Sequence, residues 1–569
     1  MSLNAETAAE TAGLRRSIDL SRPIFGLLAL ALCVLVILPI FWLAVYSLQN
    51  DAGEWTFENF VILATDPTIL RAFGLALLMA LGVGILATAI AAPMAWLAAR
   101  TDLPCRSGVR ILVTASFVTP PFLGAIAWEI LAAPNSGIIN GIYRWLFGLE
   151  ADAYFVNIYS FPGLIFAIAC YTFPYVFTLV ANALERVPSD LEDASAILGA
   201  SQLTTLRKIV LPMVMPAMLA GSLIAVLQAL TMFGTPAILA LPAGFHVITT
   251  KIWSLFQFPP QPGLAAAAAL PLLLITVILL RGQKWFLGRK GYTVIGGKSG
   301  SARITNLGVW KWPAFAFVAF ILSLAVVFPY AALLKAAVTT NIGEPLSFAS
   351  LTWQNFNFVF FEFDATRLAI WNTLVLGIST ACIVTILVVV ISYLVVRKSF
   401  PGSSILGFLA TAPVAIPGIV LGVGLFLSYA NPVLMLYGTL WILLIAFITI
   451  EMPAGYQQIS SSLSGMHPEV EEASRILGAS RLTTLRRITA PLLKTSVIAA
   501  WCFVFIGTIR ELSATILLTI ANTKLVSVII YDLNESGNLG AIAVLGLTLL
   551  VVSFAVVIIA HRVPLIARG

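Results

Sequence analysis

The stretch GTIRELSATILL, residues 507–518, sets Arg510 beside Glu511 inside an apolar run. At membrane depth an ionised side chain costs several kcal/mol unless it is paired or faces water, so both residues are candidates for a translocation pathway. Glu451 is a third candidate. It lies two residues before Pro453 in another apolar run, where an interrupted helix would open carbonyl oxygens to a cavity beside the carboxylate. A structural ion pair between helices is the alternative for Arg510 and Glu511, and neighbours on a helix diverge by about 100°, so they need not pair with each other. Glu129, near the outer end of its apolar run, reads as an interfacial residue.

A second constellation is polar and occurs twice. LGASQLTTLRK begins at Leu198 and LGASRLTTLRR at Leu477. With Glu192 placed on Glu471, the register holds without a gap to Pro212 on Pro491. The differences are Asp193/Glu472, Ala196/Arg475, Gln202/Arg481, Lys208/Arg487, Val210/Thr489 and Leu211/Ala490. Ser189 with Glu192 has capping-box spacing, Pro468 suits a first helical turn, and Gly199 and Gly478 each permit a left-handed corner. A second short helix follows from Ser201 and Ser480, with Leu203, Leu206 and Ile209, or Leu482, Leu485 and Ile488, as its apolar stripe. Near-identity of two loops in otherwise divergent surroundings points to one kind of partner met twice, as a soluble homodimer beneath a pseudo-twofold chain would be.

The elements that must position these residues are membrane spans. Charged residues are 10% of 569, hydrophobic residues 60%, and mean hydropathy is +1.00, far from the roughly 25% charge of soluble proteins. About 12 apolar runs of roughly 20 residues define an all-α polytopic membrane protein. They are 24–48, 73–99, 111–133, 160–184, 212–240, 263–280, 314–337, 368–396, 404–430, 436–460, 493–521 and 539–560. Most of the 32 Lys and Arg residues fall in alternate connections, among them Arg15 and Arg16, Arg100 to Arg110, Arg186 to Lys208, the segment 281–311 and Arg475 to Lys494. By the positive-inside rule both termini and both repeated loops are cytoplasmic. The net charge of +7 is explained by this topology, and no nucleic-acid partner is implied.

Six spans per half make the two repeats parallel, related by an axis along the membrane normal. The organisation expected is a tail at 1–22, a first half at 23–282, a cytoplasmic linker at 283–312 and a second half at 313–569. GYTVIGGKSG in the linker lacks the phosphate-loop spacing, because five residues rather than four separate Gly291 from Gly297. It reads as a flexible connector. The five cysteines and the three histidines His246, His467 and His561 form no ligand or disulfide pattern. No nucleophile and base arrangement is present, so the chain is expected to be no enzyme.

The two loops resemble the EAA loop of binding-protein-dependent ABC importer permeases, E-A-A-x3-G-x9-I-x-L-P. Asp193, Ala194, Ser195, Gly199, Ile209, Leu211 and Pro212 take those positions in the first half; Glu472, Ala473, Ser474, Gly478, Ile488, Ala490 and Pro491 take them in the second. The resemblance implies the type I importer permease fold, with each loop a coupling helix seated on one subunit of an ATPase homodimer. Asp193, Ala194, Gly199, Glu472, Ala473 and Gly478 would be the coupling residues. It also implies one permease chain per complex, a periplasmic substrate-binding protein, and ATP and Mg held by the ATPase, with no cofactor on this chain. The setting would be the bacterial inner membrane, with membrane lipid around the spans. RELSATILL, FGTPAILA at 233–240 and the fused halves are similar to the ferric iron permease subfamily, although Met232 stands where that subfamily commonly has an acidic residue. Ferric iron is the expected solute, with polyamine, thiamine or aminoethylphosphonate as alternatives in the same architecture. An ion-coupled 6+6 secondary transporter would share the composition but would not need matched loops.

Overall fold

The computed structural model describes residues 21–50, 52–289, 304–343, 347–398, 402–430 and 435–566. The first half comprises α1 (Ser21–Ser47), α2 (Pro67–Arg100), α3 (Arg106–Val118), α4 (Pro121–Ala132), α5 (Phe161–Glu185), α6 (Ser189–Ile197), α7 (Leu211–Thr231) and α8 (Pro262–Arg289). The second repeats the order with α9 (Gly308–Val338), α10 (Asp364–Val396), α11 (Ser404–Ala415), α12 (Gly418–Tyr429), α13 (Leu440–Ser464), α14 (Glu469–Ile476), α15 (Lys494–Ile509) and α16 (Leu539–Ile566). Among the described residues, nine helices are long and apolar enough to cross a membrane, or up to 12 if each of three bent pairs is one span.

Four of the expected spans are not straight. Those at 111–133 and 404–430 are the pairs α3–α4 and α11–α12, bent by 100° and 107°. Proline causes both bends. Thr119 and Pro120 are extended before Pro121, and Ile416 and Pro417 are extended before Gly418, since the residue preceding a proline is pushed out of the helical region. The spans at 212–240 and 493–521 stop at Thr231 and Ile509. The remaining residues fold into short helices, Gly234–Leu239 and Thr515–Leu518, that are largely buried in the protein. The halves differ in one approach: Gln202–Thr231 runs as a single helix, whereas Leu485–Leu492 meets α15 at 69°.

Small residues carry the helix packing, as expected where lipid removes most of the hydrophobic drive between helices. A Cβ at Gly221 would lie 2.8 Å from the Val176 backbone, so α7 and α5 touch through it. Gly424 of α12 meets the backbone of Pro39 in α1, with 2.8 Å from a built Cβ to the Pro39 carbonyl oxygen. The first span of one half is thereby packed on the bent pair of the other. The reverse contact is made by α9, where the Tyr330 hydroxyl bonds Thr119 Oγ1 at 2.6 Å.

Candidate functional site: helix breaks at the centre and paired loops at one face

At the central breaks, each interrupted helix is held by the opposite half. Thr276 of α8 donates to the Ala415 carbonyl at 2.5 Å, beside the α11–α12 bend, and Tyr330 of α9 holds the α3–α4 bend through Thr119. Irregular backbone is tolerated at membrane depth only where protein or a water-filled cavity satisfies it, and the Thr276 hydroxyl satisfies part of it.

The breaks after α7 and α15 share a design. Thr249 donates to the Met232 carbonyl at 2.9 Å, and Ser527 donates to the Glu511 carbonyl at 2.9 Å. Their side chains differ. Arg510 ends α15 and crosses to the first half, where its Nη1 donates to the Phe117 carbonyl at 2.8 Å and its guanidinium lies 5.5 Å from the Phe117 ring centroid. Phe117 is in the last turn of α3, whose unpaired carbonyls favour a cation. Glu511 folds back on its own chain, accepting from the Ala514 and Thr515 amides at 3.0 and 3.2 Å and from Thr515 Oγ1 at 2.7 Å. Arg510 and Glu511 thus take separate partners rather than each other. Glu511 also borders the α11–α12 bend, where a Cβ at Gly418 would lie 3.1 Å from its Oε1.

Glu451 is buried in α13 against Gly507 of α15, where a Cβ would overlap its carboxylate. The expected interruption at Pro453 is absent: α13 continues from Leu440 to Ser464 through the proline. Gly507 lies in the last turn of α15, three residues before Arg510, so the three candidates share one neighbourhood. Glu129 is part-buried rather than simply interfacial, and its Oε2 accepts from Asn534 of the second half at 2.9 Å.

In the repeated loops, α6 and α14 end at the expected corners, with Gly199 at φ +78° and Gly478 at φ +84°. Both lie in the left-handed region that glycine alone enters without steric cost. Ser201 and Ser480 cap the second short helices, accepting from the Thr204 and Thr483 amides at 3.3 and 3.2 Å. Ser189 does not cap. It lies inside the first turn after Pro188, with no side-chain bond to a helix amide, because the proline already fixes the start of α6. A buried hydroxyl pair ties each corner, Ser195 to Thr205 at 2.8 Å and Ser474 to Thr484 at 3.0 Å.

Asp193, Ala194 and Gly199, and likewise Glu472, Ala473 and Gly478, are exposed on each loop. Beside them Ile197 and Leu198 are both 86% exposed, and Ile476 and Leu477 are 84% and 87% exposed. The side chains of Arg475, Arg481 and Leu482, like the whole GYTVIGGKSG segment, lie outside the described residues.

Behind each loop is an ion pair that sequence reasoning missed. Arg100, the last residue of α2 and 2% exposed, lies 3.3 Å from Glu192 and donates to the Val187 carbonyl at 2.7 Å. Arg397, just after α10, lies 3.1 Å from Glu471 and donates to the Met466 carbonyl at 3.3 Å. The signal was an arginine closing the second span of each half and a glutamate shared by both loops.

The chain belongs to the family of binding-protein-dependent transport system inner membrane components, which matches residues 91–291 and again 391–564. It is therefore a multi-pass inner-membrane permease of the ABC importer class, in a form that fuses two halves. It is 26% identical over 537 residues to the ferric transport system permease protein FbpB of Actinobacillus pleuropneumoniae, which covers 92% of this chain and 76% of that one. It is 27% identical over 512 residues to the putative ferric transport system permease protein FbpB 1 of Haemophilus influenzae, covering 88% and 79%. The sulfate transport system permease protein CysT of Salmonella typhimurium is 27% identical over 280 residues, covering 48% of this chain and 94% of that protein. A chain from the crystal structure of a bacterial alginate ABC transporter aligns with a TM-score of 0.36 and 17% identity, over 50% of this chain and 94% of that one.

Proposed function

We propose that the chain imports ferric iron, as the permease of a complex in which two copies of a separate ATPase seat on the two repeated loops and a periplasmic binding protein delivers the ion. The observation that carries the coupling role is the doubled loop, two glycine corners each presenting an acidic residue and an apolar pair at the surface. With one permease chain offering two such faces, an ATPase homodimer is the matching partner. ATP and Mg belong to that partner, and this chain supplies no nucleotide site. Closure of the dimer would rock the halves about the central breaks. In this reading the basic loops favour a cytoplasmic position for this face and both termini, with the linker 283–312 joining halves 23–282 and 313–569.

Similarity to ferric permeases along most of the chain supports the substrate. Fe3+ prefers hard oxygen ligands, and the second break offers the Glu511 carboxylate with Glu451 nearby. In proteoliposomes carrying the permease with its ATPase and binding protein, radioactive ferric iron should accumulate only with ATP. ATP-free uptake under an ion gradient would replace this reading with a secondary transporter. ATP-driven uptake of polyamine, thiamine or aminoethylphosphonate with no iron would replace the substrate alone.

A further inference from the structure

The two loops are backed differently, and the difference leads to the end of the linker. Just before α9, the chain around Thr305 lies along the end of α2. The Thr305 amide donates to the Arg100 carbonyl at 2.7 Å, and the Asp102 amide donates to the Thr305 carbonyl at 3.1 Å, forming a short parallel bridge. Asp102 then uses both carboxylate oxygens: Oδ1 accepts from the Leu307 amide at 2.9 Å, and Oδ2 lies 3.2 Å from Lys311 Nζ. Arg100 is thus gripped from two sides. Its carbonyl, which as a helix end has no intrahelical donor, holds the linker; its guanidinium holds the first loop through Glu192 and Val187. Arg397 reproduces only the guanidinium side, and no bridge forms beside it among the described residues. Its loop has a different brace, because Thr489 donates to Glu471 at 3.0 Å where the first loop has Val210.

We propose that residues 304–311 form a strap that positions the first loop through Arg100, so that the covalent junction between the halves stiffens that loop and not the other. Thr305, Asp102 and Lys311 are positioning residues, acting through Arg100 and Glu192 on a surface they do not touch. The functional consequence rests on the coupling reading above; the positioning does not. Anything that pulls the linker, including rocking of one half against the other, would then reach loop one first.

The test is hydrogen–deuterium exchange on the full chain in lipid nanodiscs. Thr305→Pro removes the donor to the Arg100 carbonyl and should speed exchange across 189–208 by about fivefold, the factor of one net hydrogen bond, while 469–487 stays within about twofold. Asp102→Asn, which keeps the side-chain shape, should give a smaller shift in the same loop, and Lys311→Arg should leave exchange as in the parent. Equal acceleration of both loops, or none at 189–208 in both Thr305→Pro and Asp102→Asn, would overturn the strap. In the assembled importer, ATP hydrolysed per solute imported should rise about twofold or more in Thr305→Pro and remain at the parent value in Lys311→Arg. A shifted exchange rate with an unchanged ratio leaves the strap standing and removes the coupling role of the first loop.

Discussion

The first and second repeated loops present nearly the same outward face and have different foundations. Each shows an exposed apolar pair before a left-handed glycine, and each is clasped by an arginine at the end of an earlier long helix, α2 for the first loop and α10 for the second. Behind the first, Arg100 is almost wholly buried and its Nε and Nη1 find no partner among the described residues. Behind the second, Arg397 is 14% exposed, its Nε donates to Glu471 at 3.1 Å, and Thr489 adds a further bond. A partner with two identical subunits demands identical outward faces but places no demand on what lies behind them. The central breaks follow the same logic in reverse: matched hydroxyls hold the backbone at Met232 and Glu511, while the side chains facing inward have diverged.

The contrast between loops is open to direct disruption. Glu192→Gln leaves Arg100 buried without its charge partner and should cost about 3 kcal/mol, whereas Glu471→Gln, with a less buried arginine, should cost about half that. Thermal unfolding of the purified variants would show the larger fall for Glu192→Gln, and equal falls would mean the foundations are equivalent. Next in size is Arg510→Leu, which strips the end of α3 of a charge-assisted bond to the Phe117 carbonyl at a cost of about 2 kcal/mol. Arg510→Lys should recover part of it. The same unfolding measurement on Thr231→Leu, at the matching position of the first break, should change by less than half as much.

The repeat and the glycine corners were legible because loop chemistry is local: a glycine, a cap and a basic run state their own conformation. The all-α, multi-span class was legible from apolar length, whereas the expected 12 spans match the described helices only when each of the three bent pairs counts as one span. The bends at Thr119–Pro121 and Ile416–Gly418 were written in proline but masked by continuous hydrophobicity, which reads through a turn that stays buried in protein. The role of Arg510 was not legible at all. Its partner, the Phe117 carbonyl, lies in the other half, and no spacing rule links the two. Pro453 misled in the opposite sense, because α13 runs on past the missing amide as one continuous helix.

Smaller effects sharpen the comparison. Thr489→Val gives the second loop the first loop's residue and should cost about 1 kcal/mol, raising exchange in 469–487 alone. An unchanged rate there would remove Thr489 from the second foundation. The smallest concerns pH. The Leu307 amide, and then Lys311, hold the Asp102 carboxyl below its ordinary value of 3.8. A carboxyl lowered in the folded state stabilises above its unfolded pKa and loses that contribution as pH falls through the folded value. Exchange of the 304–311 amides, corrected for intrinsic rates, should therefore be flat from pH 6 to 8 and rise only below about pH 4. A rise near neutrality would place the strap's hold elsewhere.

The coupling claim is tested most directly by the double variant Gly199→Val and Gly478→Val in the reconstituted importer. A β-branched residue is strained at φ +78° and +84°, by about 1–3 kcal/mol at each corner, yet neither site has a neighbour within 4 Å to disturb. The variant should insert and assemble with its ATPase, hydrolyse ATP, and import at least about tenfold less solute per ATP than the parent, the loss that 1.4 kcal/mol at a coupling step produces. Unchanged uptake per ATP would contradict the assignment of these loops as the place where energy reaches the membrane.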